Sequence, residues 1–162
     1  VDYLNRETGQ TKPLDPFLLD DSVLSIQHRL ARLQYEENAP LDYAFRAACL
    51  VFIKCLIKRL NTVSQTSAQL MIEVQQNIER CEAIPQPLLL WLLYMGLIAG
   101  PPLHEERILL SSRLVDDMKL EHGTFPNWTY FKEQLRQVAW VDAILDRVGE
   151  SISTELEAVA LV

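Results

Sequence analysis

Residues 88–99 read LLLWLLYMGLIA, twelve positions without a charge. A helix that crosses a bilayer needs roughly 20 apolar residues. This run is shorter, and it is fenced on both sides. Pro85 and Pro87 bracket its start, and Gly100, Pro101 and Pro102 follow it. Arg80, Glu82, His104 and Glu105 stand just outside. A helix that is apolar all round, yet too short to span, belongs at the centre of a core. The sequence therefore predicts a buried central helix with other helices packed around it.

Downstream, His104 to about Leu120 is read as the next helix, with Glu105 and Glu106 at its positive end. Arg107, Leu110, Leu114 and Met118 recur at helical spacing and form one face, and Gly123 is the stop. Asn127 can cap a further helix. Its stripe is Trp128, Phe131, Leu135, Val138 and Leu145, with Trp140 and Val141 beside it. Gly149 is read as the end of that helix, and Ser151 to Ala160 as a short last one.

Upstream, Thr66 and Gln69 have the spacing of a capping box. Leu70, Met71, Val74, Ile78 and Cys81 then give an apolar face. The stretch from Leu41 to Leu60 follows a start signal at Asn38-Ala39-Pro40. Phe45, Cys49, Phe52, Leu56 and Leu60 are taken as one inner face, which Ala47, Leu50 and Ile57 widen, so this helix should touch neighbours on two sides. Val23, Ile26, Leu30 and Leu33 mark one more amphipathic helix. Residues 1–16 carry Pro13 and Pro16 without periodicity and read as a linker or loosely packed arm. Residues 17–162 then make a single irregular all-α domain of about seven or eight helices. Each is too short to be stable alone, so burial must hold them.

Composition agrees. The chain has 162 residues, is 49% apolar and holds five glycines. It begins at Val1 and is read as a piece of a longer protein; no signal peptide is visible. A net charge of −7 argues against direct contact with nucleic acid, whose phosphates repel an acidic surface. Cys49, Cys55 and Cys81 show no CxxC spacing, and three scattered thiols fit a reducing compartment.

No chemistry stands out. His28, His104 and His122 lie in separate segments, and His104-Glu105-Glu106-Arg107 lacks the second histidine of HExxH. Burial should raise the thiols of Cys49 and Cys55 and keep them inert. Asp20-Asp21, Glu36-Glu37, Glu105-Glu106 and Asp116-Asp117 are adjacent pairs, and adjacent helical positions diverge by about 100°. They read as wet faces. The basic set Arg46, Lys54, Lys58 and Arg59 reads the same way. Asp142 and Asp146, four apart on an apolar helix, repel slightly, so they should face water or meet a cation such as Arg107, Arg113 or Arg136.

Two stretches carry more than periodicity. One is the central run with Trp91 and Gly96, followed by a helix bearing Arg107. The other is Trp128-Thr129-Tyr130-Phe131-Lys132 with Leu135, then Trp140-Val141-Asp142 and Asp146. Together they resemble the C-terminal part of fungal-specific transcription factor domains, which follow a binuclear zinc cluster in many fungal regulators. That family has a core helix of the form LLWxLFxGGIA, a short loop, an arginine-bearing helix, then W-x-x-x-K-x-x-L and LWVD. The match in order and spacing runs from about Ile84 to Asp146, and Ala44 to Leu50 is similar to a further family helix. Leu97 departs from the pattern where a second glycine is common, as do Leu109 and Leu110 where aromatics are common. The six-cysteine cluster is absent from this sequence.

The resemblance implies a regulatory, effector-sensing or protein-interaction domain of a nuclear regulator, with a cytoplasmic location as the second expectation. It implies no catalysis and no cofactor here, zinc belonging to an upstream cluster, and contact with DNA only through that absent part. Partners would be another protein or a second copy, with a small-molecule effector as a further expectation. Trp91, Gly96, Arg107, Trp128, Lys132, Trp140, Asp142 and Asp146 would be motif residues of the core or would line a pocket. Trp91, Trp128 and Trp140 read as core anchors. Two rivals remain: a helical ligand-binding or enzymatic domain with its pocket near Gly96, and a membrane-associated adaptor using Leu88 to Ala99.

Overall fold

The computed structural model describes residues 25, 26, 28–30, 32, 33, 39–58, 65–100, 105–123 and 125–161. Six helices with defined ends follow one another: α1 (Pro40–Lys58), α2 (Gln65–Ile78), α3 (Gln86–Ala99), α4 (Glu105–His122), α5 (Trp128–Val138) and α6 (Asp142–Ala160). Helical residues also lie between 25 and 32, and no strand occurs among the described residues. The fold is all-α, as the periodicity predicts. The proposed arm, residues 1–16, lies outside the described residues.

The apolar run is α3, and it touches each of the other five helices. Every side chain from Leu90 to Leu97 is buried, and so is Ala99. Burying a leucine fully contributes on the order of 1.5–3 kcal/mol, which explains why the helix tolerates neighbours on all sides. Pro85 precedes its first turn and Pro87 sits within it, where a missing N–H costs nothing. Gly100 turns extended (φ −84°, ψ 145°) and ends the helix, its N–H returning to the Gly96 carbonyl. No helix of the described residues is long and apolar enough to cross a membrane.

Helix α1 packs on more than one side, as expected, with Phe52 of the expected face and Ala47 beside it buried, but the face is centred on its alanines. Ala44, Ala47, Ala48, Val51 and Cys55 are buried, while Phe45 remains 39% exposed and leans on the Trp91 ring. Both stripes are apolar, so hydrophobicity alone could not choose between them. The alanine-rich stripe lets a neighbouring helix come close, since interaxial distance follows side-chain size. Helix α2 lies against it, pinned by Arg46 to Glu73 at 2.6 Å. The capping-box reading of Thr66 falls on a side chain outside the described residues, and α2 begins at Gln65. Its face of Leu70, Met71, Val74 and Ile78 is buried as expected. In the upstream stripe, Ile26 and Leu33 are exposed.

The predicted continuous helix from Asn127 to Gly149 is the main correction. Helix α5 stops at Val138, and Ala139 is extended (φ −163°, ψ 118°). Helix α6 opens at Asp142 and runs straight through Gly149, which is therefore not a terminator. The break places the Trp140 ring wholly inside. Gly149 is buried beneath it: a Cβ there would lie 2.9 Å from Trp140 Cζ2 and in hard contact with Trp128. Two readings hold at the flanks of α4 and α5. Gly123 takes a positive φ (71°) after α4, and Asn127 accepts from the Tyr130 N–H to cap α5.

Candidate functional site

The motif residues fall into two groups, one beside the middle of α3 and one at its C-terminal end. The first surrounds the α5–α6 corner. Lys132 lies one turn into α5 and points at the start of α6. Its Nζ meets Asp146 Oδ2 at 2.5 Å and Asp142 Oδ2 at 3.2 Å. Arg136, one turn on, closes on Asp142 with both its Nε and a terminal nitrogen. The other oxygen of Asp146 accepts from the Trp140 indole at 2.9 Å. Trp91 reaches the same corner from α3, donating to the Ala139 carbonyl at 2.6 Å. That bond serves a carbonyl freed where helical pairing stops.

Electrostatics follow from this geometry. Burial works to raise the Asp142 carboxyl, but hydrogen bonds from Arg136 and Lys132 outweigh it and hold the pKa below the usual value. The Asp146 hydrogen bond raises Lys132 against the opposing effect of burial. Arg136 is raised by its bond to Asp142. The sequence offered Arg136 among the cations that could meet the two aspartates, and it meets Asp142. Lys132 was a motif residue without an assigned partner; its i, i+4 relation to Arg136 on α5 was the signal.

Aromatic rings fill the space beside this corner. Trp128 and Trp140 lie with centroids 5.7 Å apart, and Tyr94 is 5.5 Å from Phe131 and 6.3 Å from Trp140. The rings touch one another instead of surrounding a space, so the cluster is core. Tyr94 is buried, and burial pushes its hydroxyl pKa up.

The second group sits where α3 ends. Arg107 is 7% exposed, a buried cation on the first turn of α4. One terminal nitrogen donates to the Leu97 carbonyl and, at 3.1 Å, to the Gly100 carbonyl. The other meets Glu155 Oε2 at 2.6 Å. It thus caps the negative end of the central helix and ties α4 to α6. It does not join Asp142 and Asp146, which lie at the other group; neither does Arg113, which pairs with Asp117 at 3.8 Å. Gly96 faces Leu110, and a Cβ there would lie 3.0 Å from Leu110 Cδ1. Close approach of α4 is what this glycine permits.

Open space lies elsewhere. A groove of about 610 Å³ runs between the start of α1 and the turn after α2, lined by Pro40, Asp42, Arg80, Cys81 and Glu82 among others. Burial raises the thiol of Cys49 to about 11 and that of Cys55 to about 12. Among the described residues no group of three or more His, Cys, Asp or Glu could hold a metal ion. His104 lies outside the described residues, and His28 is exposed.

Comparison with protein-family models, with curated proteins and with solved structures finds no match for this chain.

Proposed function

We propose that this chain is the regulatory region of a fungal zinc-cluster transcription factor, acting by binding and not by catalysis. What supports the reading is the meeting of Trp128, Lys132, Trp140, Asp142 and Asp146 at one corner. These are the residues on which the resemblance rests most specifically.

In this reading the helices around α3 form a rigid body that receives a protein partner, a second copy or a small-molecule effector in the nucleus. Regulation then requires that the partner favour one state of the whole regulator over another. The carboxylates of the corner are engaged by Lys132 and Arg136, and the thiols of Cys49 and Cys55 are held in the unreactive form, which fits a binding role.

The test is the native transcript upstream of the codon for Val1. An in-frame segment encoding six closely spaced cysteines with basic residues between them is the expected result. A different upstream domain would overturn the assignment and leave a helical interaction domain.

A further inference from the structure

Helix α6 is held differently along its length. Its first half, Asp142 to Val148, is latched to α5. Lys132 pairs with Asp142 and Asp146, Arg136 closes on Asp142, and the Trp140 indole donates to Asp146. Beyond Gly149 the ties thin out. Ile152, Ser153 and Leu156 are the buried residues of this half, and they face the core that α3 and α4 supply. Its ion pair is Arg107 to Glu155, whose side chain is about half exposed, so water screens the contact.

The centre of that contact is polar. Ser153 is 2% exposed and Tyr94 of α3 is wholly buried. Ser153 lies near enough to act on the Tyr94 hydroxyl, yet neither oxygen has a hydrogen-bond partner. A buried hydroxyl left without a partner loses about as much free energy as a buried leucine gains. The two hydroxyls therefore offset much of what Ile152 and Leu156 contribute. The local sequence adds to this. Residues 149–154 read GESIST, and Gly, Ser, Ile and Thr all rank below Ala, Leu, Glu and Lys as helix formers. Thr154 turns its hydroxyl back to the Glu150 carbonyl at 3.0 Å, a bond that slightly weakens and bends helices. Gly149, at the junction of the two halves, has the freest backbone of the helix.

We propose that the second half of α6, residues 149–160, is a releasable strap. It opens from α3 and α4 as one unit about Gly149, while the first half stays latched to α5 and the rest of the core stays folded. Opening bares the Tyr94 hydroxyl and frees the Arg107 nitrogen that holds Glu155. Sub-global opening of this kind takes place at the weakest cooperative unit of a fold. The strap adds one moving part to an otherwise rigid body, and so supplies two states between which a binding event can choose. The inference goes beyond the regulatory reading and stands without it.

The test is native-state hydrogen exchange of the whole 162-residue chain, resolved by residue in NMR spectra. Amides of residues 153–160 should exchange about a hundredfold or more faster than the buried amides of α3, and faster than residues 146–148 of the latched half. Tyr94→Phe with Ser153→Ala removes both unpartnered hydroxyls, and exchange of residues 153–160 should then slow about tenfold. Thr154→Ala, at an exposed position, strengthens the local helix and should slow it about threefold. Circular dichroism checks that the double variant is folded, and Thr154→Ala carries the test alone if it is not. Protection of residues 153–160 equal to that of α3 overturns the proposal. So does a double variant in which they exchange as fast as in the wild type or faster, because the two hydroxyls then bond each other. Equal exchange in the two halves of α6 overturns it as well.

Discussion

The indole of Trp140 donates to Asp146 Oδ1 at 2.9 Å, across the corner where the chain leaves α5 and enters α6. The ring is wholly buried while the carboxylate stays at the surface end of the contact, also holding Lys132. The two contributions are separable. Trp140→Ala should cost about 3–5 kcal/mol, as truncation of a large core side chain does. Asp146→Ala leaves the ring in place but strands its N–H and should cost about 1–3 kcal/mol. Urea denaturation of both variants checks this. A Trp140→Ala midpoint equal to the wild type would mean that the ring is not a core anchor.

Gly149 and Gly96 offer opposite outcomes for the same substitution. Alanine gains about 1 kcal/mol over glycine inside a helix. At Gly149 the new methyl would run into the rings of Trp128 and Trp140, which pack against each other. Gly149→Ala should therefore destabilise by about 1–3 kcal/mol net. At Gly96 the nearest atom is the flexible end of Leu110, at 3.0 Å. Gly96→Ala should change stability by less than about 1 kcal/mol. Calorimetric melting of the pair decides it, and equal effects would contradict the packing at the corner.

How far the sequence carries the fold can be judged at these residues. The central helix was legible because its length, its lack of charge and its proline fences all point one way. The face of α4 was legible from Arg107, Leu110, Leu114 and Met118, where one stripe is apolar and the opposite one mostly polar. On α1 two neighbouring stripes are apolar, and only packing against α2 decides that the alanines go inside and Phe45 does not. The α5–α6 corner was invisible to periodicity. Val138 and Leu145 keep helical phase across a break of three residues, and no proline or glycine marks it. Gly149 then looked like a stop because the reason for it, two tryptophan rings, comes from residues far along the chain. Which of the motif residues meet depended on that corner.

Asp142 sets an acid limit for the corner. Its pKa is held below the ordinary value, chiefly because hydrogen bonds from Arg136 and Lys132 outweigh burial. A carboxyl lower in the folded state stabilises above its unfolded pKa, about 3.9, and that contribution is lost as pH falls through the folded value. The melting midpoint should thus drop on acidification below about pH 4. Asp142→Asn should be less stable at neutral pH and lose less on acidification. A variant curve parallel to the wild type through that window would show that Asp142 contributes nothing to the acid response.

The thiols give a test of burial that needs no stability measurement. Cys49 and Cys55 lie at about 11 and about 12, so at pH 8 almost none of either is thiolate. Both should resist an aromatic disulfide reagent in the folded chain and react at once in denaturant. Cys55, wholly buried, should be the slower. Rapid labelling of Cys55 in the native protein would mean that α1 opens readily or turns another face inward.

Arg107 makes two kinds of contact, and substitution can tell which matters. Toward α3 it satisfies the carbonyls of Leu97 and Gly100 at a buried helix end. Toward α6 it meets Glu155, whose side chain is about half exposed. An ion pair reaching into water contributes little, typically under about 1 kcal/mol, because solvent screens it and a long side chain must be ordered to make it. Buried carbonyls left without a donor cost about 1–3 kcal/mol. Arg107→Met fills the space with an apolar chain and strands the carbonyls, so it should lose about 2–4 kcal/mol. Glu155→Gln removes only the charge and should lose less than about 1 kcal/mol. Arg107→Lys keeps the charge but not the fork that serves α3 and α6 at once, so it should fall closer to the methionine variant than to the wild type. If instead lysine were as good as arginine and Glu155→Gln as harmful as Arg107→Met, the ion pair and not the cap would be holding the end of the central helix.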